Sequence, residues 1–235
     1  MRDGACHDVD TPAGRYRLEV VTRDGRRGSR ELDVAPGVAL VQEQMALDAA
    51  GTVRCTLDTA LVTRLPERLT VTLSSADCGS LRVPGRTSES PAGDFAVVVA
   101  PASERELEVV GAQPDTEFSL CVVDDAVVGD VAVKVAAGGT AMVTLVLHDA
   151  GKLAFASREP AAFDLLLVHW QLPGGTFSSG QQLFGCRGRT ELGSVAAPVG
   201  AIGWRVGYQV HGGEMRRQQG RVTVAAGVPG RVVLD

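Results

Sequence analysis

Asparagine is absent from this 235-residue chain and lysine is nearly so. Lys134 and Lys152 are its lysines, and arginine supplies the rest of the 23 basic residues. Both scarce residues use AT-rich codons, so the bias points to a GC-rich bacterial genome. Without Asn, no Asn-linked glycan can form. Long apolar runs are also missing: no stretch of about 18 such residues exists, which excludes a transmembrane helix. The first residues, Met1 to Asp8, lack the apolar core of a signal peptide. A cationic excess is lacking too, since the net charge is −5. That argues against a nucleic-acid binder, which carries a basic face.

Motifs of chemistry are equally scarce. Nucleophilic catalysis needs a Ser or Cys on a sharp turn near a base, yet there is no Gly-x-Ser-x-Gly and no His at a diagnostic spacing from a nucleophile. Phosphate-binding glycine loops are missing, and Gly185-Cys186-Arg187-Gly188 is too short to serve as one. Cys6, Cys55, Cys78, Cys121 and Cys186 cannot all pair within one chain and show no Cys-x-x-Cys spacing, so a zinc or redox site is not indicated. One disulfide among Cys55, Cys78 and Cys121 is open to an exported protein; buried thiols are the alternative. Cys6-His7-Asp8-Val9-Asp10 gathers potential ligands, but a solvated tail explains it. Asp124-Asp125 suits a hairpin turn, where Asp bonds its own backbone. His148 and His169 are lone histidines. No catalytic residue, cofactor or metal ligand is assigned.

What the chain does have is one pattern written three times. Pro12-Ala-Gly-Arg-Tyr16-Arg-Leu18-Glu-Val20 recurs as Pro114-Asp-Thr-Glu-Phe118-Ser-Leu120-Cys-Val122. With two extra residues it recurs as Pro198-Val-Gly-Ala-Ile-Gly-Trp204-Arg-Val206-Gly-Tyr208. Each copy leads to a second strand ending in Val-Ala-x-Gly, at Val34 to Gly37, Val135 to Gly138 and Val224 to Gly227. Fixed-period similarity marks an array of modules, and the interval suits a β-sandwich of about 100 residues.

Side chains alternate across a strand with period two. Tyr16, Leu18 and Val20 therefore share one face, and Ile202, Trp204, Val206, Tyr208 and Val210 another. Asp24-Gly25 is a hairpin signal, and His211-Gly-Gly-Glu214 is a second turn. Strands are expected over Leu69–Leu73, Phe95–Val99, Glu106–Val110, Val53–Leu57 and Val143–Leu147, with a loop at Ser88–Gly93. Val41–Ala50 is assigned as a strand by analogy with Met142–Leu147. Phe163–Leu172 carries large apolar residues on both faces and is expected to lie centrally, covered on both sides. Pro173–Gly180 is a loop. Asp48-Ala-Ala-Gly51 and Asp149-Ala-Gly151 are expected linkers, short enough to restrict the modules.

These motifs, at 12–37, 114–138 and 198–227, resemble the bacterial carboxypeptidase-regulatory-like modules of the transthyretin-like (prealbumin-like) class. Collagen-adhesin B-type repeats belong to the same broad group. The resemblance implies non-catalytic tandem modules in secreted, envelope-attached or receptor proteins. Some B-type relatives carry a Lys–Asn isopeptide bond, which the absence of Asn excludes here.

The expectation is an all-β chain of tandem Ig-like/transthyretin-like antiparallel β-sandwiches. Residues 1–40 form the closing hairpin of one module, 41–150 a second and 151–235 a third. Because the chain opens partway through a module, it is expected to belong to a longer polypeptide. The expected function is structural or binding: a spacer, adhesion or ligand-presenting module of a larger bacterial envelope or secreted protein. An accessory segment of an extracytoplasmic enzyme or receptor is the alternative. The partner would be an unidentified protein or polysaccharide. Trp170, Phe177, Arg216 and Arg217 are the candidate ligand contacts, Arg187 and Arg189 adding to a cationic patch. Phe177, in a Gly-rich loop, is the aromatic best placed for exposure, while Trp170 is open to core packing.

Overall fold

The computed structural model describes residues 12–22, 26–37, 45–73, 80–82, 96–101, 103–210, 213 and 215–235. Among these the regular structure is all strand, with no helix. β1 (Gly14–Val21) and β2 (Arg27–Val34) form an antiparallel pair of their own. Next come β3 (Gly51–Leu61), β4 (Arg68–Leu73), β5 (Ser80–Arg82), β6 (Ala96–Pro101), β7 (Glu106–Ala112), β8 (Phe118–Val123) and β9 (Val127–Val133). The 18-residue β10 (Thr140–Ser157) leads to β11 (Leu166–Gln171), β12 (Gln181–Leu183), β13 (Glu191–Pro198), β14 (Gly200–Gln209), β15 (Met215–Val224) and β16 (Gly230–Leu234).

Two cores result. In the first, β7, β3 and the opening half of β10 form a layer against β9, β8, β4 and β6. Val53, Leu107 and Leu145 from one layer meet Leu69, Val71 and Leu120 from the other. In the second, β13, β16 and the closing half of β10 pack against the sheet β12-β11-β14-β15. Phe155 there meets Trp204 edge-on, ring centroids 6.2 Å apart. Strand order is the same around both cores, and most pairs are antiparallel. The exceptions also correspond: β10 runs parallel to β3 in the first unit and to β16 in the second.

The repeated motifs occupy equivalent places. Tyr16, Phe118 and Trp204 sit on β1, β8 and β14, each paired with its following strand. Gly37, Gly138 and Gly227 all adopt left-handed backbone, with φ of 78°, 65° and 74°, which is why glycine closes each copy. A second glycine recurs for a steric reason. A Cβ on Gly51 would lie 2.5 Å from a methyl of Val135, and one on Gly151 would lie 2.4 Å from a methyl of Val224.

Three expectations need correction. Asp149-Ala-Gly151 is no linker: β10 runs through it unbroken. Val41–Ala50 is not a strand where it is described, since residues 45–50 carry only a bridge at Asp48. The equivalent strands elsewhere lie against an opening strand, β3 or β10, and no described strand precedes β1 to fill that place. Phe163–Leu172 narrows to Leu166–Gln171 and is covered on one side only. Leu166, Val168 and Trp170 are buried, whereas Leu167, His169 and Gln171 are half-exposed. The turns at Asp24-Gly25 and His211–Glu214, the loop at Ser88–Gly93, Cys78 and the Cys6–Asp10 cluster lie wholly or largely outside the described residues.

The close Gly–Val contacts make a graded prediction. Gly151→Ala should destabilise the chain by about 1–3 kcal/mol, because stiff Val224 must move. Gly227→Ala meets nothing within 4 Å and should cost about 1–2 kcal/mol, from backbone strain alone. Urea denaturation of the two variants checks the order.

Candidate functional site

Asp130 joins the two cores. Its Oδ2 accepts the Ser179 amide at 3.0 Å and the Ser179 hydroxyl at 2.6 Å. Ser179 belongs to the loop after β11, so a second-unit loop is pinned to β9 of the first. His169 braces that loop from within: a carbonyl only accepts, so its Nδ1 donates to the Ser178 carbonyl, at 2.8 Å. The Ser178 hydroxyl accepts the Trp170 amide at 3.0 Å. Asp149 is a second tie, its carboxylate accepting the Thr63 amide and its carbonyl the Val199 amide, each at 2.9 Å. Val128 of β9 is buried among second-core residues.

Ionisable groups at this junction are shifted by burial. Desolvation raises the Asp130 carboxyl, against the Ser179 hydrogen bonds and nearby His169. The Cys121 thiol, opposite Asp130 in the ladder, is pushed up to about 11, first by burial and then by the Asp130 charge. Burial likewise takes the Cys55 thiol up to about 11 and raises Cys186. His148 is lowered by burial, with Asp58 opposing. Cys55, Cys121 and Cys186 are free thiols. Asp124 makes the expected turn, Oδ1 accepting the Ala126 amide at 2.9 Å.

The other notable feature is the outward face of β11, β14 and β15. Register places Leu167, Gly207 and Arg217 in one cross-strand row, and His169, Arg205 and Gln219 in the next. Gln171, Gly203 and Arg221 make a third. No residue in these rows is acidic. An open groove runs over the face, about 240 Å³ between His169, Arg205 and Arg217 and about 290 Å³ beside Leu165 and Tyr208. Leu167, Gly207 and Met215 line both parts. Asp164 is the carboxylate at its far end.

The four sequence candidates divide across this sheet. Phe177 is half-buried, with the Arg205 guanidinium 4.4 Å over its ring. Arg217 lines the groove. Arg216 pairs with buried Tyr208 and so points to the opposite side. Trp170 is on the core side, 6% exposed, and unavailable to a ligand. Arg187 borders the groove's far end; Arg189 does not line it. Arg205, Arg221 and Leu167 share this face without being among the sequence candidates, although strand alternation puts Arg205 opposite the Ile202–Tyr208 core face.

No family model matches this chain, and no curated protein does. Solved structures that resemble it include the Bacillus anthracis TIE protein, at 10% identity over 96% of this chain and 44% of that one, with a TM-score of 0.31. The chain thus spans less than half of that structure. The Streptococcal ancillary pilin is 12% identical over 94% of this chain and 76% of that one, TM-score 0.26. A DUF3823 family protein from Parabacteroides merdae is 11% identical over 76% and 98%, TM-score 0.27. Likenesses this remote do not bear on function, which has to be argued from the geometry.

Two outcomes test the junction. Asp130→Ala should release the loop and raise native alkylation of Cys121 roughly tenfold, while Cys55 stays slow; peptide mapping after iodoacetamide checks this. A raised carboxyl pKa means that the folded state holds the proton more tightly than the unfolded chain. Asp130 therefore favours folding below its ordinary value of 3.8, and that contribution fades as pH rises through the window above it. Asp130→Asn should flatten the stability profile there, measured by denaturation across pH.

Proposed function

We propose that this chain is a non-catalytic binding and spacer segment of a larger bacterial envelope or secreted protein. It would be built as two tandem transthyretin-like sandwiches, 41–150 and 151–235, after the hairpin of another. The observation that carries this reading is the outward face of β11, β14 and β15, whose cross-strand rows hold no acidic residue and which no described strand covers. Three arginines gather there on a chain of net charge −5. A continuous strand and two polar ties hold that face in fixed relation to the first unit, as suits a spacer that presents a surface. The perturbed thiols support the non-catalytic half of the reading. Burial moves the thiols away from the reactive thiolate, opposite to the shift a nucleophile needs.

The chain, immobilised and exposed to the envelope fraction of a GC-rich bacterium, should retain material at low salt. Arg205→Gln with Arg217→Gln should abolish retention, while Arg216→Gln should leave it intact. Retention that ignores all three arginines would count against this face as the contact surface.

A further inference from the structure

The two units carry opposite charges at the same place. Cys121 stands opposite Asp130 in the first unit as Gly207 stands opposite Arg217 in the second. Both pairs lie three residues after the repeat's aromatic, Phe118 or Trp204, and both face away from their core. At the first position Asp130 is an acceptor, and a peptide segment supplies its donors, the Ser179 amide and hydroxyl. At the second position Arg217 is a donor, and no described residue forms an ion pair with it. The complement of a guanidinium there is a carboxylate, ideally bidentate.

Resting on the reading of this face as a contact surface, we infer that it binds an acidic, extended peptide segment of a protein partner, seated as the Pro173–Gly180 loop is seated on the first unit. Spacing favours a peptide. Arg205 is the diagonal neighbour of both Arg217 and Arg221, about 7–8 Å from each across the ladder. An extended peptide repeats its same-side groups every about 6.6–6.8 Å, so alternate carboxylates meet successive guanidiniums. The floor suits apolar side chains. Gly207 leaves a gap between Leu167 and Met215, and a Cβ on it would still lie 3.7 Å from the Met215 sulfur. A polysaccharide is served less well, because Trp170, Trp204 and Tyr208 are buried and Arg205 covers Phe177. That stacking also holds one guanidinium in place beforehand, which lowers the ordering cost of binding.

Fluorescence anisotropy with a labelled heptapeptide alternating Glu and Leu tests the inference, with dextran sulfate and a Glu–Ser heptapeptide as comparison probes. The Glu–Leu peptide should bind most tightly of the two peptides and weaken as salt rises. Arg205→Gln or Arg217→Gln should each raise its Kd about tenfold, and Arg216→Gln, with the same charge lost on the other side, less than about twofold. Equal losses for Arg216→Gln and Arg217→Gln would reveal unspecific attraction and overturn the inference. Equal affinity of the Glu–Ser peptide would overturn the role of the apolar floor. Dextran sulfate binding through Arg217 without peptide binding would refute the peptide and keep the surface. No binding by any probe would remove both.

Discussion

One strand belongs to both cores. β10 contributes Leu145 and Leu147 to the first and Leu153 and Phe155 to the second. All four are odd-numbered, so a single alternation serves both units. At a rise of about 3.3 Å per residue the strand is about 60 Å long, and its middle must not bend out of register. A one-residue slip would expose every core side chain on one half. Gly151 at the crossing is therefore more than a permissive residue. It is buried, and Val224 fills the space that a side chain would take. The neighbouring Asp149 then ties Thr63 on one side to Val199 on the other.

This continuity makes surface chemistry of one unit depend on the other. With β10 shared, the loop after β11 meets the β8–β9 face of the first unit at Asp130. The repeat copies a backbone position and leaves the side chain free, so Asp130 and Arg217 diverge without cost to either core. Edge protection offers a competing account of the arginines, since charges on a long edge strand such as β15 discourage unwanted pairing. It explains Arg216 well. It does not explain Arg205, which lies on the interior strand β14, nor why all of the charge on the outward rows has one sign.

Much of the fold was legible because it is local. Period-two alternation placed Tyr16, Leu18, Trp204 and Val206 on their faces, and each Val-Ala-x-Gly carried its left-handed glycine in plain sight. What stayed hidden depends on distant partners. Asp149-Ala-Gly151 has the composition of a turn, and it is pairing with the distant Val127, Ala197 and Pro198 that makes it strand. Asp130 and Ser179 lie 49 residues apart, and nothing in either neighbourhood announces the other. Trp170 and His169 are adjacent, so one had to face inward; which one depended on the sheet that pairs with β11. The charge reversal between Asp130 and Arg217 was present in the sequence. The two extra residues in the third copy obscured it, because they shift the pairing of the second strand.

The chemistry of the interior bears on what the surface is for. A buried cysteine with a raised pKa is held as a thiol and behaves as a small apolar side chain. Cys55 meets that description, and half-buried Cys121 is raised likewise, the Asp130 charge opposite it adding to the effect of burial. His169, which lies near the Asp130 carboxylate, has Nδ1 committed to the Ser178 carbonyl. It braces the loop and does not activate Ser179, whose hydroxyl already donates to Asp130. His169, Ser179 and Asp130 are thus engaged with one another's segments in holding the two units together. A contact surface has to be built from side chains that the cores do not need, and Arg205 and Arg217, outward beside Leu167 and Met215, are of that kind.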